Sequence, residues 1–192
     1  MRLILAACVM VLVLGACSRD SAPEAPAPLA LGPAEQAELE ALQALAAQVE
    51  ADAAEVAGFE VLQARYAWEA DPRTGNLQPT VHLALANGTA LTVVQLSVQA
   101  DFVRPGEPGP WHAQEFHMPL VGGLSPGAGS AVRMLPTADS DWALKAPPPE
   151  VEVIARVVPV ALQTADGRKL LTAHAFGPAR QARLARLQGG QP

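Results

Sequence analysis

The residues best able to do chemistry in this 192-residue sequence stand together in residues 111–117, which read Trp-His-Ala-Gln-Glu-Phe-His. Histidine and glutamate bind zinc and serve as general acids and bases. Their spacing departs from the His-Glu-x-x-His motif of zinc proteases. On a β-strand, Glu115 and His117 share one face while His112 points to the other. We therefore expect no metal site and no cofactor, with a metal-binding protein or metalloenzyme using His112, Glu115 and His117 as the alternative.

Nucleophilic catalysis is the second chemistry that the residue types allow. Serines, four histidines and several aspartates are present, so counting alone leaves a Ser-His-Asp arrangement open. Residues 127–130, Gly-Ala-Gly-Ser, lack the lysine and the spacing of a phosphate-binding loop and are more typical of turns. We predict that the protein is not an enzyme.

A targeting segment precedes the elements that would position these residues. After Arg2, residues 3–14 are an almost unbroken apolar run of the length of a signal-peptide core, too short to span a bilayer. The run ends in Leu14-Gly15-Ala16-Cys17, which resembles the lipobox of bacterial lipoproteins. The resemblance implies a signal peptide over residues 1–16 and a diacylglycerol on Cys17 that anchors the chain. A rival lipobox at residues 5–8 has too few apolar residues before it, and an ordinary secretory signal is the remaining alternative.

The resemblance to lipoproteins also predicts a location. Ser18 stands where a signal for retention in the inner membrane usually has aspartate, which favours the periplasmic face of the outer membrane. Residues 17–33 are rich in Pro and Ala without a periodic apolar face and are typical of an extended tether. No cysteine follows Cys17, so we expect neither a disulfide nor a thiolate metal site in the domain.

An acidic amphipathic helix is predicted over residues 34–57. Its apolar residues recur at spacings of three and four, and they are Leu39, Leu42, Ala46, Val49, Ala53 and Val56. The helix either packs on its own domain or forms a homo-oligomer through residues 34–57. Near the other end of the chain, residues 177–192 are a basic tail with a short helix candidate at residues 179–188. Arg180, Arg183 and Arg186 lead us to hypothesise that this segment docks on the acidic helix.

Residues 59–176 change to the alternating pattern of β-strands. The residues predicted to share the core face of the first three strands are Leu62, Ala64, Tyr66 and Trp68, then Val81, Leu83 and Leu85, then Leu96, Val98, Ala100 and Phe102. Four more strands are predicted at residues 113–121, 129–135, 150–163 and 168–176. Asn87-Gly88 and Asp166-Gly167 are turn signals of the kind found in hairpins. The sequence therefore predicts a mainly β domain, an antiparallel immunoglobulin-like β-sandwich of about seven strands.

Three turn signatures carry a second resemblance. They are Asn87-Gly88-Thr89, then Pro105-Gly106 with Pro110-Trp111, and residues 122–127, which read Gly-Gly-Leu-Ser-Pro-Gly. Together they resemble small bacterial envelope lipoproteins with a β-sandwich ectodomain of the FxLYD type, over residues 59–176. This resemblance implies a fold and brings no catalytic residues.

The leading functional hypothesis is a non-enzymatic binding or adaptor module for an unknown envelope protein. Its contacts would lie in the proline-rich loop of residues 104–111, in the glycine-rich loop of residues 122–129 or along an exposed sheet edge. Trp111 and Leu124 are the predicted contact residues. A self-associating tether is the alternative. The net charge of −6 disfavours a nucleic-acid partner.

Overall fold

The computed structural model describes residues 31–137 and 140–189. The predicted signal peptide, Cys17 and most of the predicted tether lie outside these residues. No helix among the described residues is long and apolar enough to cross a membrane. The elements in chain order are α1 Pro33–Val56, β1 Phe59–Ala70, β2 Leu77–Asn87, β3 Val93–Val103, β4 Pro110–Leu124, β5 Gly129–Met134, α2 Asp141–Lys145, β6 Ile154–Thr164, β7 Lys169–Leu171, a 3-10 helix Ala173–Phe176 and α3 Pro178–Gly189.

The strands form two antiparallel sheets that pack face to face. The three-stranded sheet has the order β1-β2-β5, and the four-stranded sheet has the order β4-β3-β6-β7. The chain therefore passes between the sheets after β2, after β4 and after β5. The predicted seven-stranded antiparallel sandwich, with a helix before it and a helix after it, is confirmed.

The core lies between β2 and β3, where the predicted alternation is confirmed. Its central residues are at most 2% exposed and are Val81, Leu83, Leu85, Leu96, Val98, Ala100 and Phe102. The short helix α2, which the sequence did not predict, adds Trp142 to this core at 1% exposure. The Trp142 ring stacks on Phe102 with centroids 6.2 Å apart and meets Phe116 edge-on at 4.9 Å. Aromatic residues are few, and these rings meet at one end of the core.

Two strand predictions are wrong in detail. A β-bulge between Val61 and Gln63 reverses the alternation of β1, so Leu62 is 62% exposed while Val61 packs on the core. The strand predicted at residues 168–176 ends at Leu171, because Thr172 starts the 3-10 helix and its hydroxyl accepts a hydrogen bond from the backbone N–H of His174. The hairpin predicted at Asp166-Gly167 is confirmed, since it joins β6 to β7.

Asn87-Gly88, in contrast, is not a hairpin turn, because β2 and β3 lie in different sheets. The Asn87 side chain is buried, and its Nδ2 donates to the carbonyls of Leu91 at 2.8 Å and Leu124 at 2.7 Å. Its Oδ1 accepts from the backbone N–H and the hydroxyl of Thr89. Gly88 lies so close to the start of β1 that a Cβ there would meet the Gly58 carbonyl oxygen at 2.7 Å. This pair of residues therefore fixes a crossing between sheets.

The segment between β5 and β6 is held by two side chains of β1. The Tyr66 hydroxyl and the Trp68 Nε1 both donate to the carbonyl of Pro147, the latter at 2.8 Å. Burial raises the pKa of the Tyr66 hydroxyl to about 12. The segment around Pro147 is thereby fixed against β1, which is an edge strand of the three-stranded sheet.

The helix α1 packs on β7 and the 3-10 helix beside the four-stranded sheet, and α3 packs on α1, as the charge pattern led us to expect. Arg183 Nε and Nη2 donate to the two carboxylate oxygens of Glu38 at 2.9 and 2.5 Å. Arg168, in the β6–β7 hairpin, makes the equivalent pair with Glu55. Of the other arginines in the basic segment, Arg180 donates instead to the Ala175 carbonyl. The predicted docking of the two terminal segments is confirmed at Arg183.

The apolar seam of α1 faces this sheet, with two corrections. Val49 of the predicted seam and Leu45, which the predicted seam did not include, pack against Ala161, Leu171 and Ala175 in a second, smaller apolar cluster. Ala53, which the periodicity placed on the seam, is exposed. Asp52 takes the adjoining position instead, and its carboxylate accepts a hydrogen bond at 2.8 Å from the backbone N–H of Leu171. The helix therefore packs on its own domain.

Candidate functional site

The histidine and glutamate cluster lies on β4, an edge strand of the four-stranded sheet, and the sheet divides it. His112 stacks on the core residue Phe102 with ring centroids 6.1 Å apart. Glu115 and His117 point to the outer face, as alternation predicts. Within residues 31–137 and 140–189, no group of three His, Cys, Asp or Glu side chains is placed to hold a metal ion. The metal site considered for His112, Glu115 and His117 therefore does not form.

His117 does meet a serine. The Ser97 hydroxyl lies 2.7 Å from His117 Nδ1, and a Glu115 carboxylate oxygen lies 3.9 Å from the same nitrogen. In a catalytic triad the nucleophile and the orienting carboxylate bind opposite nitrogens of the imidazole. Because both groups here approach Nδ1, the three residues do not form a triad. They link neighbouring positions of β3 and β4 on the outer face.

A second serine fits a catalytic pattern that the sequence reasoning missed. Residues 123–127 read Gly-Leu-Ser-Pro-Gly, which matches the Gly-x-Ser-x-Gly pattern of α/β-hydrolases. That pattern needs a turn from a strand into a helix, whereas Ser125 lies in the turn that leads from β4 in one sheet to β5 in the other. Among the described residues, no histidine makes a hydrogen bond to its side chain. The pattern therefore marks a turn.

Two adjoining cavities lie beside these residues on the outer face of the four-stranded sheet. We call them together the outer groove. They measure about 250 and 340 Å³ and share Ala161 and Lys169. Their lining residues are Gln95, Ser97, His117, Ala161, Leu162, Gln163 and Lys169 in the first cavity, and Leu45, Gln48, Glu115, Val160, Ala161, Lys169, Leu171, Ala175 and Arg180 in the second.

The outer groove combines an apolar floor with polar walls. Leu171, Val160 and Ala161 form the floor, and α1 contributes one wall through Leu45 and Gln48. Amide side chains from α1, β3 and β6 supply both hydrogen-bond donors and acceptors. The charged groups are of both signs, and Lys169 makes no ion pair with any described residue. Such a lining suits a ligand that carries paired donors and acceptors, such as a peptide backbone.

Trp111 lies near the start of β4, at the opposite end of this strand from Gly122 and Gly123. It is the extra residue of a β-bulge, because the paired positions pass from Phe102–His112 directly to Val103–Pro110. Its side chain is 43% exposed, and the Arg104 guanidinium lies 4.0 Å from the centre of its ring. Bulges on edge strands often redirect a side chain toward a site. The predicted contact residue Trp111 is thus partly exposed.

Leu124 is not available for contact with a partner. It is 4% exposed and belongs to the core, so the expectation that it forms part of a binding surface is wrong. Val121, three residues earlier, is 98% exposed. The backbone leaves the regular ladder there, because the pairing resumes only at Leu124, and Gly122 and Gly123 have φ values of 80° and 73°. The Gly-Gly pair was the available signal for this protruding residue.

Comparisons of the chain with protein-family models, with curated proteins and with solved structures gave no match.

Proposed function

We propose that this chain is a lipid-anchored, non-enzymatic binding module of the bacterial envelope, and that its outer groove holds an extended segment of a partner protein. The outer groove is the observation that carries the proposal, because it joins two cavities across the outer face of the four-stranded sheet and mixes apolar and amide groups. The lipobox-like residues ending at Cys17 support the lipid anchor, and Ser18 favours the periplasmic face of the outer membrane.

The dimensions of β4 favour a short extended peptide. From Trp111 to His117 the strand advances six residues, which is about 20 Å at the rise of a β-strand. A peptide of about the same number of residues would therefore reach from the outer groove to Trp111. Gln48, Gln95 and Gln163 can pair with its backbone, and the Trp111 ring can hold an apolar side chain.

The arrangement of the polar residues supports binding rather than catalysis. Ser97 and Glu115 approach the same nitrogen of His117, so the imidazole has no separate orienting carboxylate. Ser125 lies in a strand-to-strand turn. A module that holds a partner needs none of these catalytic features.

The packing of α1 favours a partner over self-association. The helix extends over 24 residues, about 36 Å, and its seam packs on β7, the 3-10 helix and α3. A coiled coil through residues 34–57 would have to remove this seam from the domain. The helix instead forms a wall of the outer groove between the tether and the sandwich.

Site-directed photo-crosslinking in the native envelope tests the proposal. A photoreactive residue replaces Gln48, which lines the outer groove, or Glu50, which is exposed on the same helix outside it. We expect a reproducible protein adduct from position 48 and none from position 50. The adduct should disappear in a Cys17→Ser chain, which loses its anchor. Trp111→Ala should weaken the interaction about 30-fold, the effect of an interface anchor worth about 2 kcal/mol.

Two results would contradict the proposal. Equal adducts at positions 48 and 50 would mean that capture reflects proximity in the envelope and not the outer groove. Adducts that contain only a second copy of this chain would point to the self-associating tether. Lys169→Glu provides a further check, because it changes the charge of both cavities at an exposed position and should reduce the adduct without unfolding the domain.

A further inference from the structure

A separate cavity of about 320 Å³ lies at the three-stranded sheet, where its β1–β2 turn approaches the end of β5. We call it the Thr80 cavity. The residues that line it are Glu69, Ala70, Asp71, Pro72, Arg73, Gln78, Thr80, Arg133 and Leu135. It lies on the opposite side of the sandwich from the outer groove, and the function proposed above does not use it.

Thr80 gives this cavity a hydrogen-bonding group without a partner. Val81, the next residue, faces the core, so Thr80 faces the other side of the sheet. The Thr80 residue is 0% exposed, and its Oγ1 makes no hydrogen bond with any described group. Buried hydroxyl groups nearly always have a partner. A ligand in the cavity would supply one.

The carboxylates at the cavity are already engaged. Glu69 Oε1 lies 2.6 Å from His82 Nε2. Asp71 Oδ1 accepts hydrogen bonds from the backbone N–H groups of Arg73 at 2.7 Å and Thr74 at 3.3 Å, which closes the β1–β2 turn. These contacts hold both acidic side chains to the sheet and the turn.

The guanidinium groups are less engaged. Arg133 has its nearest carboxylate oxygen at 3.9 Å, on Glu69, and Arg65 approaches the same residue at 3.7 Å. Arg73 makes no ion pair with any described residue. Arginine presents a planar fork of donors that suits phosphate oxygens. The net charge of the chain is −6. At this cavity, however, the guanidinium groups of Arg73 and Arg133 have N–H donors without a hydrogen-bond partner among the described residues.

We propose that the Thr80 cavity binds a phosphate group. Arg73 and Arg133 donate to its charged oxygens, and the Thr80 hydroxyl donates to a third oxygen at the floor. The cavity is larger than a phosphate ion, and Ala70, Pro72 and Leu135 line the space for the organic part of a phosphate ester. The ester is either a lipid headgroup or a soluble molecule, because the recognised chemistry is the same.

Titration calorimetry on the full chain in a neutral detergent tests the proposal, with inorganic phosphate and glycerol 3-phosphate as probes. We expect binding that Arg133→Gln weakens about tenfold, the loss of one charge-assisted hydrogen bond. Arg133→Lys should restore part of the affinity. Arg156→Gln, at an exposed position of the four-stranded sheet, is the matched control and should leave binding unchanged.

Thr80→Val distinguishes a ligand-binding hydroxyl from a packing defect. The variant keeps the shape of the side chain and removes the unpartnered hydroxyl, so it should raise the melting temperature of the free protein and weaken phosphate binding. A lower melting temperature would show that the hydroxyl has a structural partner, which overturns its role in binding.

Phosphatidic acid added to the micelles separates the two sources of phosphate. Binding to the lipid that glycerol 3-phosphate fails to displace assigns the site to a headgroup, and binding of the soluble ester alone assigns it to a soluble molecule. Either result supports the proposal. Absence of binding to all three probes overturns it, and so does an equal loss of affinity in Arg133→Gln and Arg156→Gln.

Discussion

The two sheets share one core but have different outer faces. On the four-stranded sheet, α1 packs over a second apolar cluster that includes Ala161, Leu171 and Ala175, and α3 packs on α1. No helix packs in this way on the three-stranded sheet among the described residues, and its outer face holds the charged cluster around Glu69. The helices before and after the sandwich therefore lie on the side of the four-stranded sheet. Leu45 and Gln48 of α1 and Arg180 of α3 line the outer groove there.

The ion pairs on the two sides of the sandwich also differ, in the sequence separation of the residues that they join. Glu38 and Arg183 are 145 residues apart in sequence, and Glu55 and Arg168 are 113 apart, so these pairs join segments that only the fold brings together. The contacts around Glu69 stay within the three-stranded sheet, with Arg65 on the same strand, His82 on β2 and Arg133 on β5. Substitutions on the four-stranded side should thus report on docking of the helices, whereas substitutions around Glu69 should leave the helices in place.

The largest effect should come from Asn87, whose side chain holds the crossing from β2 in one sheet to β3 in the other. Asn87→Ala removes two donated and two accepted hydrogen bonds at a buried crossing and should lower the free energy of unfolding by about 3 kcal/mol, since each buried polar group left unpaired costs about 1–3 kcal/mol. Both sheets should unfold together in urea denaturation followed by tryptophan fluorescence and circular dichroism. Asn76→Ala, in the exposed β1–β2 turn, is the control and should change stability by less than about 0.5 kcal/mol.

Separate unfolding of the two sheets in the Asn87→Ala protein would contradict the statement that they share one core. Retained stability would show that the loop between β2 and β3 rearranges to satisfy its own backbone groups.

Periodicity predicted most of the fold because one face of each central strand is buried. Val81, Leu83 and Leu85 alternate without interruption, so their side chains identify the core face. Leu62 was misplaced because a bulge between Val61 and Gln63 inserts one residue, so Val61 faces the core before it while Ala64 and Tyr66 face the core after it, as predicted. Nothing in the composition of β1 marks that insertion.

The two Xaa-Gly turn signals show where sequence reasoning reaches its limit. Asp166-Gly167 closes a hairpin, with Gly167 at a φ of 85°, while Asn87-Gly88 begins a crossing between sheets. A turn signal specifies a local reversal of the chain, and tertiary packing decides which strand the next one joins. The four hydrogen bonds of the Asn87 side chain depend on groups at residues 89, 91 and 124, which the local sequence does not reveal.

The candidate sites also divide into features that the local sequence specifies and features that tertiary packing decides. The separation of His112 from Glu115 and His117 could be predicted, since it needs only strand alternation. The outer groove could not, because Gln48 of α1 and Lys169 of β7 reach it from distant parts of the chain. Leu124 was assigned to the surface from a glycine-rich context, although the glycines beside it expose Val121 and leave Leu124 in the core.

A middle-sized effect should test whether α1 belongs to the four-stranded sheet. Leu45→Ala removes a half-buried leucine from the second apolar cluster and should cost about 1.5 kcal/mol, below the range for fully buried leucines. Leu144→Ala makes the same chemical change at a side chain that is 73% exposed and should have little effect. Hydrogen exchange should increase along α1 and β7 and stay unchanged on β2. Faster exchange across both sheets would mean that the helix supports the whole sandwich.

The smallest effect should come from the ion pair between the terminal helices, and it should depend on pH. Hydrogen bonding to the Arg183 guanidinium lowers the pKa of the Glu38 carboxyl below its ordinary value of 4.5. A lowered pKa in the folded state stabilises the fold at pH values above 4.5, and this contribution is lost as the pH falls through the folded-state pKa. Glu38→Gln should therefore reduce stability at pH 7 and lose this effect in acid.

Thermal melts between pH 2 and pH 7 measure this difference, and Glu50→Gln removes the same charge from an exposed position of α1 as the control. Because the pair is exposed, added salt should shrink the gap between the wild type and Glu38→Gln. A gap that persists in acid and in high salt would show that Glu38 acts through packing instead of charge. The contact between α1 and α3 would then depend on apolar packing and not on this ion pair.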